Sequence, residues 1–198
     1  MIFFTSDHHF GHENIIKYTS RPFRDVENMD ETMIHRWNEV VSDEDTVYHL
    51  GDFTLSDTVR ADGYLRRLNG YIHVLSNWWH HDRRWLSEYG NAIIPKYSAN
   101  GAWVMETPPI WVIEVPEYGG TYPLAIVMSH YPMAEWDRKH YGAWHLHGHS
   151  HGKHKADGLI LDVGVDGHDF YPWSMVEVAE YMNGRRAKLP IEYYSAPR

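Results

Sequence analysis

Three short runs rich in β-branched and aromatic residues, Ile2–Thr5, Thr46–Leu50 and Tyr71–Leu75, recur through the first 75 residues with helix-length stretches between them. In the first interval, Asn28 to Val41 has the pattern of an amphipathic helix. Asn28 and Glu31 are spaced as a capping box, and Met33, Trp37, Val40 and Val41 repeat on one face. In the second, Thr58 to Leu68 is expected to be helical despite Gly63, and Asn69-Gly70 turns the chain into the third run. Strand, helix, strand, helix, strand is the signature of right-handed crossovers, which place the strands side by side in a parallel sheet covered by helices. Catalytic loops are then expected at the carboxyl ends of the strands.

The middle of the chain changes character. Between Ala102 and Ser129, proline and glycine interrupt apolar runs such as Ile110–Val115 and Leu124–Met128, which predict strands of a second, mixed or antiparallel sheet. Leu159–Leu161 with Val163 predicts one more strand. Pro172 to Glu177 opens a closing helix, with Ser174 and Glu177 as its capping box. The class is α/β. Internal repeats, low-complexity tracts and linkers are absent, and 198 residues suit one domain. No run approaches 18 apolar residues, and Met1 leads into Ile2-Phe3-Phe4 without a basic segment. Neither a membrane span nor a signal peptide is expected, and a cytoplasmic protein is the default.

Composition narrows the chemistry. There are 16 histidines and no cysteine, which excludes disulfides, zinc fingers, iron–sulfur clusters and thiol catalysis. Eighteen Lys and Arg against 27 Asp and Glu leave a net charge of −9, a poor balance for coating long nucleic acid. Five polar clusters follow the apolar runs: Asp7-His8-His9, Gly51-Asp52, Ser76-Asn77, Ser129-His130 and Gly148-His149-Ser150-His151. In an extended segment side chains two apart share a side, so Asp7 with His9, and His149 with His151, are expected to face one ion. Carboxylate, imidazole and amide oxygen without sulfur suit a hard-to-borderline divalent cation. Asp7, His9, Asp52, Asn77, His130, His149 and His151 are more groups than a four-ligand ion needs, but they match two ions roughly 3.5–4 Å apart.

The ordered series D-x-H, G-D, N, H and G-H-x-H resembles the calcineurin-like metallophosphoesterases, especially the small single-domain forms of bacteria and their phages. The likeness runs from Thr5 to Val163-Gly164-Val165-Asp166 and the helix after it. It implies one domain over residues 1–198, a sandwich of two mixed β-sheets flanked by helices. It also implies that Asp7, His9 and His151 hold one metal, that Asp52 bridges, and that Asn77, His130 and His149 hold the second. A hydroxide shared by two ions, with manganese first and iron, zinc or nickel as alternatives, would attack phosphorus in line. The substrate would be a small phosphodiester or phosphomonoester, such as a nucleotide.

One block departs from the family pattern. Where G-N-H is usual, this chain has Ser76-Asn77-Trp78-Trp79-His80-His81-Asp82. Either Asn77 is the ligand and the general acid is displaced to His81 or His80, or an insertion puts His80 in the ligand slot. Trp78 and Trp79 could stack on a base or pack on the following helix. Arg83 and Arg84 could receive phosphate or face solvent. His145 and His147 continue the alternation ahead of His149, as ligand-orienting groups or polar strand tips. His8 and His12 are expected to be solvated or to support the ligands. His35, His73, His140, His154 and His168 are expected at the surface. Gly148-His-Ser150-His-Gly152 also matches the G-x-S-x-G elbow, but a strand rather than a helix is expected after it, against that reading. Two other functions compete: a catalytically weakened interaction module on the same fold, and a small nuclease.

Overall fold

The computed structural model describes residues 1–75, 81–87, 96–97, 103–118 and 122–186. The first half runs β1 (Ile2–Thr5), α1 (Glu13–Tyr18), α2 (Val26–Val40), β2 (Thr46–His49), α3 (Thr58–Leu65), β3 (Tyr71–Leu75) and α4 (Arg83–Ser87). There follow β4 (Lys96–Tyr97), β5 (Trp103–Thr107), β6 (Ile110–Val115), β7 (Leu124–Ser129), β8 (Trp144–His147), β9 (Ile160–Asp162), β10 (Trp173–Ser174) and α5 (Met175–Arg186). Among the described residues these strands form a six-stranded sheet, ordered β10-β1-β2-β3-β5-β4, and a four-stranded sheet, ordered β6-β7-β8-β9.

β1, β2, β3 and β5 are parallel, as the crossover pattern requires, with Ile2 opposite Thr46 and Thr46 opposite Tyr71; β10 and β4 are antiparallel to their neighbours. In the second sheet β6 and β7 pair antiparallel, while β7, β8 and β9 are parallel. Both sheets are therefore mixed, and helices flank them.

Two-residue alternation divides the core. Phe3, Val47, Ile72 and Val74 point to α1–α4 and join Met29, Met33, Trp37, Leu65 and Trp85 in one apolar layer. Phe4, Leu50 and Leu75 join Ile126, Met128, Leu146 and Leu161 of the second sheet and Val178 and Met182 of α5 in another. The loops beyond β1, β2, β7 and β8 converge above the seam between the sheets.

Helix boundaries moved where capping chemistry differs from the sequence pattern. α2 starts at Val26 because Asp25 is its cap, accepting from the Asn28 amide at 2.8 Å. Glu31 instead makes a bidentate pair with Arg67 at 2.5 and 2.8 Å. α3 likewise starts at an Asp57 cap and ends at Leu65, short of Leu68. The capping box of α5 is as expected: the Glu177 amide donates to Ser174 Oγ at 3.2 Å, and Glu177 Oε2 accepts from the Ser174 amide at 2.8 Å. Among the described residues, no helix is long and apolar enough to cross a membrane.

Two outcomes follow from this packing. Trp37 is fully buried and donates its indole N–H to the Asn69 carbonyl at 2.9 Å. Trp37→Ala is expected to cost about 3–5 kcal/mol, read as a lower urea midpoint at unchanged slope. Burial pushes the Glu177 carboxyl up, but the Ser174 hydrogen bonds and nearby His168 outweigh it and hold the group below its usual range. A lowered folded pKa gives stability that is present above the unfolded value and lost as pH falls through the folded one. The melting-temperature advantage over Glu177→Gln should thus shrink as pH drops below 4.5, the ordinary value.

Candidate metal centre

The loops that carry the polar clusters are not extended. Asp7, His9, Asp52, His149 and His151 all sit in the left-handed region, with φ of 62°, 53°, 55°, 68° and 47°. Few non-glycine residues adopt this conformation, and it persists only where surrounding structure enforces it. This corrects the alternation expected within each D-x-H and H-x-H pair: pairing comes from two left-handed residues around an intervening one. The intervening His8 is therefore turned into the core, fully buried rather than solvated.

Hydrogen bonds between loops enforce the shape. The loops after β1 and β2 continue the parallel pairing, with Asp7, His9 and Phe10 amides donating to Gly51, Asp52 and Phe53 carbonyls at 2.9–3.1 Å. The His149 amide donates to both oxygens of the fully buried Asp7 carboxylate, at 3.1 and 2.9 Å. A Cβ on Gly148 would lie 2.0 Å from Ser6 Oγ and 2.7 Å from Asp7 Oδ2, so only glycine fits there.

These loops bring six of the seven sequence-predicted ligands into two groups. Asp7, His9 and His151 offer ligand atoms within 4.8 Å of one another, and so do Asp52, His130 and His149. The groups meet at Asp52, whose Oδ2 lies 3.6 Å from His9 Nε2 and 3.5 Å from His130 Nε2. Ligand bonds of about 2.0–2.2 Å put neighbouring donors roughly 3.0–3.5 Å apart, close to these separations.

The ring nitrogens are oriented from behind. His130 Nδ1 lies 3.0 Å from the Leu50 carbonyl and His151 Nδ1 lies 2.7 Å from Asp166 Oδ2, so in each ring Nε2 keeps its lone pair for the centre. Among the described residues, both ring nitrogens of buried His9 lack a hydrogen-bond partner. Buried polar atoms are rarely left so, and a cation between the groups would account for the orphaned ring. The donor set therefore fits a divalent pair.

The electrostatics divide the ligands. Burial pushes the Asp7 carboxyl up to about 7, although His130 and His151 pull it back, and Asp52 and Asp162 push further. Burial drives His9 down to about 3 against the pull of Asp52, and lowers His149 with help from His130. Burial also lowers His130 and His151, but hydrogen bonds to Asp52 and Asp166 outweigh it and raise both. His9 and His149 are thus held neutral, the state a cation requires, whereas Asp7, His130 and His151 favour their protonated forms and would give up those protons to a cation.

Further residues hold these loops from behind, and of them only His145 belongs to the alternation seen in the sequence. Arg21 is buried and donates to Asp166, the Asp7 carbonyl and the His8 carbonyl at 2.6–2.8 Å. Asp82 is buried and accepts from the Phe53 and Thr54 amides at 3.0 Å and from Trp85 Nε1 at 2.8 Å, pinning the loop that carries Asp52. His8 Nδ1 meets His49 Nε2 at 3.0 Å, and Gly51 N donates to His49 Nδ1 at 3.2 Å. The buried His145 bridges the Val127 carbonyl and the Met133 amide at 3.0 Å each, fixing the loop after His130. His73 is half-buried between Tyr48 and Trp111 rather than at the surface.

His81 is exposed, with its ring 6.5 Å from that of His9. Arg83 is exposed at the start of α4. Asn77, Trp78, Trp79 and His80 lie outside the described residues. Tyr131, absent from the sequence reading, packs against His130 and His149 with ring centres 4.9 and 4.6 Å apart.

Fold and site together define an α/β two-sheet protein with paired Asp–His groups at strand ends. No family model matches the chain. It is 35% identical over 155 residues to the uncharacterized protein MJ1445 of Methanocaldococcus jannaschii, covering 77% of this chain and 70% of that one. The chain belongs to the family of that archaeal protein. It is also 29% identical over 189 residues to the Gene 66 protein of Mycobacterium phage L5, covering 82% and 85% of the two chains. Among solved structures it is similar in fold to the protein of unknown function AQ665 from Aquifex aeolicus. There the TM-score is 0.62 at 23% identity, over 91% of this chain and 98% of that one.

Gly148→Ala is expected to destabilise the protein by about 1–3 kcal/mol or more, because the overlap falls on Ser6 and Asp7. Gly63→Ala in α3, where an added Cβ meets nothing within 4 Å, should stabilise by about 0.5–1 kcal/mol. Thermal melting of both variants checks the contrast.

Proposed function

We propose that the protein is a metal-dependent phosphoesterase, hydrolysing a small phosphodiester or phosphomonoester at a dinuclear centre. The observation that carries the reading is the meeting of two three-ligand Asp–His groups at Asp52 Oδ2, within 3.6 Å of a histidine of each. The resemblance of the ordered clusters to calcineurin-like metallophosphoesterases supports it from the sequence side.

In this reading Asp7, His9 and His151 would hold one ion and Asp52, His130 and His149 the other, with Asn77 the further candidate ligand for the second. Two divalent cations, manganese first, would activate water and neutralise charge developing on the phosphoryl oxygens. The chain supplies the rest. Buried Asp7 and His9 keep bulk water off one side of the centre. The left-handed loops hold the ligands at fixed spacing before substrate arrives, so little reorganisation accompanies the reaction. His81, exposed with its ring 6.5 Å from that of His9, is the candidate to donate a proton to the leaving oxygen, with His80 as the alternative. Trp78, Trp79 and Arg83 are the candidate contacts for the ester group, which a nucleotide would satisfy.

Hydrolysis of bis-p-nitrophenyl phosphate with added manganese tests the proposal. Chelation should abolish turnover and manganese restore it. Asp52→Asn should lower turnover by at least about 10²-fold, the scale on which loss of one charge-stabilising group acts. Turnover untouched by chelation or by Asp52→Asn would refute the mechanism. Full metal occupancy without turnover across a phosphoester panel would favour an interaction module.

A further inference from the structure

We propose that Arg21 is a positioning residue that preorganises one half of the metal centre, the Asp7–His9–His151 half, while Asp52 and His130 of the other half have separate support. The inference rests on the metal-binding reading above and names what holds its ligands in place.

A guanidinium has five N–H donors in a rigid planar fork. All five of Arg21 are used, in a side chain with no solvent exposure. Nε and Nη2 grip the two oxygens of Asp166 at 2.8 Å each. The second Nη2 proton goes to the Asp7 carbonyl at 2.6 Å, and Nη1 donates to the His8 carbonyl at 2.8 Å and Met29 sulfur at 3.4 Å. Phe170, itself left-handed at φ 61°, lies against the fork at 5.7 Å.

The acceptors are the groups that set the first half-site. The Asp7 and His8 carbonyls flank the peptides on which Asp7 and His9 are turned left-handed. Asp166 Oδ2 accepts from His151 Nδ1 at 2.7 Å, which fixes the ring with Nε2 toward the centre. One buried cation thus joins the loop after β1 to the carboxylate that aims a ligand from the loop after β8. A hydrophobic pair could fill the same volume, often without loss of stability. It could not set two loop carbonyls and a carboxylate at once, and lysine, a point charge with three donors, could meet only part of the set.

In the second half-site the His149 amide rests on the Asp7 carboxylate, which Arg21 does not contact, and the other supports lie elsewhere. His130 is aimed by the Leu50 carbonyl, and the residues after Asp52 are held by Asp82. Arg21 touches neither. Loss of the fork is therefore expected to act on one ion and spare the other.

The test is manganese titration of the full chain, followed by calorimetry and electron paramagnetic resonance. The wild type is expected to take two equivalents and finish as an exchange-coupled pair. Arg21→Met combined with Asp166→Asn, which leaves no unpaired buried charge, is expected to lose roughly 10–100-fold in affinity for one equivalent. The other should bind as before and give the six-line spectrum of an isolated ion. Arg21→Lys keeps the buried charge and carries the test should the double variant not fold. It should weaken the same equivalent by a smaller factor. A purely structural role would lower the melting temperature and leave stoichiometry and spectrum alone. Two equivalents at wild-type affinity in folded variants, or loss of both together, would overturn the role of Arg21 and leave metal binding intact. A wild type that binds no manganese would overturn the metal-binding reading, and this inference with it.

Discussion

The Asp7 carboxylate is the point on which the two sheets are joined. It leaves the end of β1 in the six-stranded sheet, is fully buried, and accepts the His149 amide from the loop after β8 in the four-stranded one. Everything near it is shaped to let that happen. Gly148 has no side chain because Ser6 and Asp7 occupy the space, and a Cβ on Gly164 would approach Asp7 Oδ2 to 2.9 Å. The loop after β2 lies alongside through the hydrogen bonds of Asp7 and His9 to Gly51 and Asp52. A carboxylate that only bound an ion would need no such enclosure. This one also ties the loop after β1 to the loop after β8, so the fold and the candidate centre share one contact.

That arrangement is electrostatically unfavourable by itself. Burial and the neighbouring carboxylates raise Asp7, while His9 is desolvated and, among the described residues, has no hydrogen-bond partner. Five left-handed residues add backbone strain, a form of stored cost that collects at functional sites. The surrounding structure offsets this with charge-assisted bonds farther out. Burial would raise Asp166, but Arg21 and His151 hold it below the usual carboxylate range. Burial raises the Asp82 carboxyl to about 6, even though two backbone amides and an indole donate to it. Stability is thus spent at the centre and at Asp82, and is recovered in part where Arg21 and His151 meet Asp166.

Much of this was legible in the sequence, for identifiable reasons. β1, β2, β3 and β6 carry strong apolar runs between clear turn signals, and their positions agree with the expected ones. The Ser174–Glu177 box works because its chemistry is local. Asp25 does not stand out as a cap in the sequence because Asn28 and Glu31 offer an equally good pattern three residues on, and only the fold reveals that Arg67 takes Glu31. The candidate ligands announced themselves by residue type and order, whereas the backbone that aims them did not. Left-handed conformation at Asp7 or His149 is imposed by bonds between loops as many as 142 residues apart. Arg21 shows the same limit. Its partners are two backbone carbonyls and an aspartate 145 residues away, and nothing in the local sequence around a single arginine encodes such contacts.

The histidine excess then separates by environment more than by count. His9, His130, His149 and His151 line the centre, while His8, His49 and His145 are buried as hydrogen-bonding parts of the framework. Imidazole serves both purposes for one physical reason: when neutral it is a planar, weakly polar ring with one donor and one acceptor, cheaper to bury than any charged side chain. His49 shows the use. Its Nδ1 accepts from Gly51, so its Nε2 must donate to His8 Nδ1, and a fixed chain of tautomers runs beneath the loops that carry Asp7 and Asp52. A chain of hydroxyls could rotate and lose that direction. Rings packed against Phe10, Trp37 and Phe53 cannot, so the polar framework stays ordered with little water and little charge below the centre.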